Sequence, residues 1–309
     1  MNAAHIHLLL NHFPTIGFGI GLGLFLVALL GNSDELKRAS LAIFFITAAL
    51  AIATYVSGND AQDAIKDLPA LSTDLINAHE SAALVAFAFM QATGFFAWFA
   101  LWVLRRVSRI PDWNLAVVLI LAVVSFALVA RAASLGSEIR HAEIQSANTP
   151  AADPQPTLAR SWGLYVQSHS WVWPTCETLH FIGLSMLFAV VLTVDLRMLG
   201  VGKKSLSFAA LYQLLPLGML GFGLNLITGM LFFVSTPRQY VGFLFFLKMA
   251  LVVAGAFNVL YLMLLDEPWT MGEGDDASTK TKLVAASAIA IWMGVLFCGH
   301  MLPFLGNSF

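Results

Sequence analysis

The sequence predicts an all-α, polytopic membrane protein whose eight transmembrane helices form two four-helix bundles. Three observations predict it. Of 309 residues, 59% are hydrophobic and 11% charged, against roughly 45–50% and about 25% in soluble domains. Apolar stretches recur near the ~20-residue length that crosses a hydrocarbon core about 30 Å thick. A single Pro/Ala-rich polar stretch, SANTPAADPQP, divides the chain near its middle. This composition excludes a soluble enzyme fold, and a net charge of −2 argues against nucleic acid as a partner.

Taken in order, the spans fall at about 10–31, 39–57, 79–104 and 113–135 in the first half, and 174–196, 207–234, 240–265 and 282–304 in the second. The domains read as 1–145, a linker over 146–165, and 166–309. The opening MNAAHIHLLLNHF lacks a basic n-region and a small-residue cleavage site, so no removable signal peptide is expected. Gly17, Gly19, Gly21 and Gly23 give the first span GxxxG spacing twice, which suits close helix packing and is no dinucleotide fingerprint. Trp162, Trp171 and Trp173 read as an interfacial belt, and most of the 24 Phe as core or lipid-facing.

Basic residues set the expected orientation. Ten (Lys37, Arg38, Arg105, Arg106, Arg109, Arg197, Lys203, Lys204, Lys280, Lys282) lie on one set of short loops, and six (Lys66, Arg131, Arg140, Arg160, Arg238, Lys248) on the other side. The first set is expected in the cytoplasm, in a bacterial inner membrane, with both termini periplasmic. All eight histidines then fall in the outer part of the molecule. Ionisable groups in a membrane are costly and mark functional sites. His12, His180 and His300 lie 19, 16 and 18 residues from the inner ends of their spans, a common depth at about 1.5 Å per residue. His7, His79 and His141 sit further out. His5 and His169 read as surface residues.

A one-sided set of imidazoles suits the axial positions of haem iron. His12 or His7 would pair with His79, with His141 available for another site, and His180 would pair with His300. Arg131, Arg140, Arg238 and Lys248 could receive propionates; for Arg131 and Lys248, snorkelling to the headgroups is the alternative. Glu138/His141 and Glu177/His180 carry the Glu-x-x-His spacing of di-iron bundles, but only Glu80 and Glu143 remain to supply the further carboxylates. Copper or zinc is a comparable minor alternative. Cys176 and Cys298 form neither CxxCH nor CxxC, so covalent haem and thioredoxin chemistry are unsupported.

Two resemblances accompany this reading. His7-Leu-Leu-Leu-Asn-His12-Phe13-Pro14, Ser57-Gly58-Asn59-Asp60-Ala61, His79-Glu80 and Ile139-Arg140-His141 resemble an uncharacterised bacterial four-span membrane family opening His-Pro-x-x-x-His-Phe-Pro. Leu8 stands where that family has Pro. The resemblance covers about residues 5–145 and implies an association with haem and respiratory chains. Pro174-x-x-Glu177-x-x-His180, Asp195-Leu196-Arg197-x-Leu199-Gly200 and Phe246-x-Lys248 are similar to a second uncharacterised bacterial integral-membrane group. There Gly299-His300 replaces a Gly-Arg.

The expected function is a b-type, multi-haem electron-transfer membrane protein, an electron carrier rather than an enzyme by itself. It would hold haem b near the periplasmic face and exchange electrons with quinone or a periplasmic c-type cytochrome, alongside other membrane subunits. No histidine lies in the inner half, so no path across the bilayer is expected. The alternative is a non-catalytic subunit that anchors or organises a respiratory or photosynthetic complex. A transporter ranks third, for want of repeats and of paired inner and outer ionisable residues.

Overall fold

The computed structural model describes residues 3–65, 72–139, 156–204, 206–240, 242–272 and 274–305. Among them the regular structure is helical throughout. The order is α1 (Ala3–Leu10), α2 (His12–Leu30), α3 (Asp34–Ile65), α4 (Thr73–Val107), α5 (Asp112–Glu138), α6 (Leu158–Ser168), α7 (Val172–Met198), α8 (Phe208–Leu211), α9 (Leu215–Ser235), α10 (Phe243–Leu264), α11 (Glu267–Thr270) and α12 (Thr279–Leu305). Eight of the helical runs are long and apolar enough to cross a membrane, α1 with α2 and α8 with α9 counting as one run each. The protein is an all-α polytopic membrane protein.

Several helices outrun the apolar stretches that revealed them, because polar residues at the ends continue the helix. The third span begins at Thr73 rather than at His79: the Ser72 side chain caps it by accepting from Leu75 N–H (3.4 Å), and Asp74 occupies its first turn. His79 is therefore two turns inside the helix. At the N-terminus, Pro14 has no N–H to offer the Leu10 carbonyl, so the helix breaks at Asn11. The Thr54 hydroxyl faces that carbonyl at 3.3 Å.

The chain forms two compact units, Met1–Trp162 and Gly163–Phe309. The first half of the expected linker, 146–155, lies outside the described residues, as do Arg140 and His141 before it. Its last part, from Leu158, is helical.

In the first unit α2, α3, α4 and α5 close a ring, each packing on the next and α5 returning to α2, while α1 lies along α3. Phe18, Phe25 and Phe44 form a buried aromatic knot with centroids 5.5 and 5.9 Å apart. The glycine stripe of α2 divides by face. A Cβ on Gly17 would meet Thr47 at 2.5 Å and one on Gly21 would meet Phe44 at 2.8 Å, so these two admit α3. Gly19 faces Phe126 of α5, and a Cβ on Gly23 would meet nothing within 4 Å. Thr93 and Ser125 join α4 to α5 through their hydroxyls (2.9 Å), and the Gln91 amide donates to the Ala48 carbonyl of α3 (2.8 Å). Such bonds in a membrane contribute about 0.6–2 kcal/mol each.

In the second unit α7 packs on α9 and on α12, and α12 on α10, while α9 meets α10 through the Phe233 ring, which stacks on Phe245 at 5.8 Å. Helices α7 and α9 meet backbone to backbone: a Cβ on Gly221 would lie 2.6 Å from the Gly183 carbonyl oxygen. At the other end Arg197, counted from sequence among the loop cations, is almost fully buried. Its guanidinium donates to the carbonyls of Leu206, Lys203 and Asp275 and lies 4.2 Å from the Phe208 ring. It thereby ties two loops to the end of α7. Asp195, also buried, lines a cavity of about 50 Å³ with Val194, Asn258, Met263 and Trp292, large enough for a few waters.

Candidate functional site: paired imidazoles in the first unit

Helix α1 is set apart by the break at Asn11 and runs along α3, which carries His7 to the last third of α3. There His7 Nδ1 lies 3.1 Å from the Thr54 carbonyl and 3.3 Å from Ser57 Oγ. A carbonyl can only accept, so Nδ1 carries the proton. One turn on, Gly58 supports the ring: a Cβ there would sit 3.0 Å from His7 Cε1.

His79 repeats the arrangement on α5. Its Nδ1 donates to the Ala132 carbonyl at 2.8 Å, and a Cβ on Gly136 would lie 3.0 Å from its Cε1. In both cases a backbone carbonyl at one position and a glycine four residues later hold an imidazole in a fixed orientation. The same proton placement follows for both rings, leaving each Nε2 with its lone pair. A histidine that ligates a metal has this pattern, with one nitrogen on the metal and the other N–H on a carbonyl or carboxylate. His7 and His79 are near enough for their charges to interact. Beside them, Glu80 lies within hydrogen-bonding reach of Thr157 and Gln62 and within electrostatic range of Arg160.

The second unit holds one imidazole of the same kind. The Gly183–Gly221 contact brings α7 and α9 together, and one turn from Gly183 the His180 Nδ1 lies 2.8 Å from Thr228 Oγ1. That hydroxyl donates to the Leu224 carbonyl (2.7 Å), so it accepts from His180 and again leaves Nε2 free. Phe232 flanks the ring at 5.6 Å.

The remaining expected residues are placed differently. His12 is exposed at the start of α2 and shares no hydrogen bond with His79. His300 is exposed on α12, opposite the face that buries Cys298 and Leu302, and its ring neighbour is Phe304 at 5.7 Å. No hydrogen bond or ring contact joins it to His180. Arg131 is exposed on the outer face of α5, as snorkelling requires. Lys248 reaches across to α12, where a Cβ on Gly299 would lie 3.2 Å from its Nζ. Arg140 and His141 fall outside the described residues. His169 stacks on Tyr165 at 4.2 Å, as a surface residue of the α6 end. Glu177 is exposed.

Among the described residues, no three His, Cys, Asp or Glu converge as a metal-binding group. Sequence reasoning missed Thr54, Ala132, Gly136 and Thr228; Ser57 and Gly58 stood out in the Ser57-Gly58-Asn59-Asp60-Ala61 motif but without the role of supporting His7. Backbone carbonyls carry no residue signature, and an isolated glycine in an apolar helix looks like any packing glycine.

No protein-family model matches the chain, and neither a curated protein nor a solved structure matches it significantly.

Proposed function

We propose that this protein is a b-type electron-transfer membrane protein, with a haem held in the first unit between His7 and His79. The observation that carries the reading is the shared state of the two rings: each gives its Nδ1–H to a backbone carbonyl, is backed by a glycine, and keeps Nε2 free. Two neutral imidazoles complete a haem, whose macrocycle supplies the other four ligands. A structural zinc takes four protein ligands, and a di-iron site needs carboxylates from several helices. The donor set therefore fits haem best.

In this reading the haem, when bound, supplies one-electron chemistry; the chain supplies position and surroundings. Thr54 and Ala132 fix both ring planes and raise the basicity of the ligating nitrogens. Gly58 and Gly136 leave space that a methyl group would fill. Glu80 and Arg160 put opposite charges at the same end of the bundle. With the ten-to-six asymmetry of basic residues, this end faces the periplasm of a bacterial inner membrane, and quinone or a periplasmic cytochrome is the exchange partner.

The test is a pyridine-haemochrome assay on the full-length protein purified from membranes grown with a haem supply. A b-type spectrum with at least one haem per chain, lost in His79→Ala, is the expected result. A colourless wild type, or an unchanged haem-to-protein ratio in the variant, overturns the reading.

A further inference from the structure

We propose that the second unit holds an internal proton-binding site: Asp195, as a neutral carboxylic acid, solvated by a small cluster of water in the cavity that α7, α9, α10 and α12 line. The site is independent of the paired imidazoles of the first unit, and its test reads no haem.

Three observations build it. Asp195 stands near the end of α7 and is only 5% exposed. Among the described residues its carboxyl has neither an ion pair nor a hydrogen bond. It lines a cavity of about 50 Å³ to which all four long helices contribute, with Val194 of α7, Leu215 of α9, Asn258 of α10, and Ala288 and Trp292 of α12. At about 10–15 Å³ apiece, that space takes roughly three to five waters. Asn258 and Trp292 give such waters further polar partners. The Asn258 amide nitrogen donates to Ser287 Oγ (3.4 Å), which leaves its carbonyl oxygen as an acceptor. The Trp292 indole N–H has no acceptor among the described residues.

The charged groups at this end of the unit are engaged elsewhere. On the same helix, Arg197 turns to the carbonyls of Leu206, Lys203 and Asp275. Lys282 of α12 pairs with Asp276 (2.9 Å), and Lys280 is exposed. Lys248, the one basic residue of α10, stands beside Gly299. Tyr212, ahead of α9, gives its hydroxyl to the Pro268 carbonyl, Tyr261 of α10 shares its hydroxyl with Thr281 (3.3 Å), and Glu267 accepts from Ser278 and Thr281. An ionised carboxylate in so apolar a space would keep its desolvation cost with no cation or donor to offset it, so the carboxyl takes up a proton instead. Ionisable groups placed this way inside a membrane mark proton and ion sites. A hard cation such as Ca²⁺ or Mg²⁺ takes about six or more oxygens, whereas only Asp195 and Asn258 among the lining residues offer side-chain oxygens.

The experiment is infrared spectroscopy of the full-length protein in lipid at pH 7, in sodium-free buffer made with H2O and with D2O. The proposal expects the C=O stretch of a protonated carboxylic acid that shifts to lower frequency in D2O. The band should shift further in protein labelled with carbon-13 at the aspartate carboxyl, and should be absent from Asp195→Asn. Ala288→Val adds two methyl groups to the cavity wall and should move the same band to higher frequency, as water leaves the carboxyl. That variant and the label assign the band even where Asp195→Asn fails to fold. A wild type without an aspartic-acid band overturns the proposal, as does a band that persists in Asp195→Asn or is unmoved in Ala288→Val. Loss of the wild-type band on adding NaCl makes this a sodium site and also overturns it.

Discussion

The imidazole of His79 has little freedom: Ala132 holds one nitrogen and Gly136 lies under the ring. Adding one methyl at Gly136 places a Cβ 3.0 Å from Cε1, so Gly136→Ala must shift the ring or the helix. Loss of such a supporting contact costs about 10–100-fold in metal affinity. We expect Gly136→Ala to lower haem retention on dilution by that order, while Gly23→Ala, whose Cβ meets nothing, retains haem as the wild type does. A second prediction lies at the start of α12. The Glu267 carboxylate accepts from Ser278 N–H (2.7 Å), Ser278 Oγ (2.8 Å) and Thr281 Oγ1 (2.8 Å), and these bonds, with Ser278 N–H foremost, hold its pKa below the ordinary 4.5. A depressed carboxyl contributes stability that is full above its unfolded pKa and is lost as pH falls through the folded one. Wild type should therefore be more stable than Glu267→Gln at pH 7, by less than about 1 kcal/mol in so exposed a group. The difference should shrink as pH falls below 4.5 and vanish once it is below the depressed pKa of the folded state. Equal stability of the two proteins at pH 7 would refute this. The histidines were visible as candidates in the sequence because ionisable residues are rare in apolar spans. Their partners were not, because the acceptors are main-chain carbonyls of helices distant in sequence, and a periodicity does not give the rotation of one helix against another.

The eight long helices were legible, since length and hydropathy alone separate a span from a loop, whereas α6, inside the expected linker, was not. Helix ends were less so: hydropathy marks the apolar part of a helix, and Ser72, Asp74 and the polar turns of α3 and α4 lie beyond it. The break at Asn11 was encoded in Pro14, but α1 and α2 together read as one apolar run. Facing was not legible. His300 and His180 share a depth by residue counting, yet one is exposed on α12 and the other turns to α9. Glycine function divides in the same way, by which face meets a neighbour. Gly221 and Gly223 lie two residues apart on α9, and only Gly221 faces the backbone of α7, with Gly183 O at 2.6 Å and Leu187 N at 2.8 Å from a built Cβ. Backbone cannot yield as a flexible side chain does. Gly221→Ala should therefore destabilise the second unit by about 1–3 kcal/mol, the usual cost of overpacking. Gly223→Ala should be neutral or slightly stabilising through helix propensity. Thermal unfolding in detergent distinguishes the two; equal midpoints would mean that α7 and α9 do not cross at Gly183 and Gly221.

On the scale of the molecule, the Pro/Ala-rich stretch suggests a division into two bundles, and the chain divides into compact units between residues 162 and 163. The first unit contains His7, His79 and their supports entire, including Thr157 beside Glu80. Residues 1–162 expressed alone should accordingly bind haem, and a fragment of that length that inserts in the membrane without haem would count against the assignment. Orientation rests on the basic residues of the loops. A reporter fused after Phe309 should be active only outside the cytoplasm, whereas cytoplasmic activity would put the paired imidazoles at the inner face. The central claim, that His7 and His79 are the two axial ligands of one iron, is tested most directly by low-temperature electron paramagnetic resonance. The samples are the oxidised full-length wild type, His7→Ala and His79→Ala. The account predicts a low-spin bis-imidazole signal in the wild type, and a high-spin signal or no haem in each variant. A low-spin spectrum that is the same in all three proteins would contradict it.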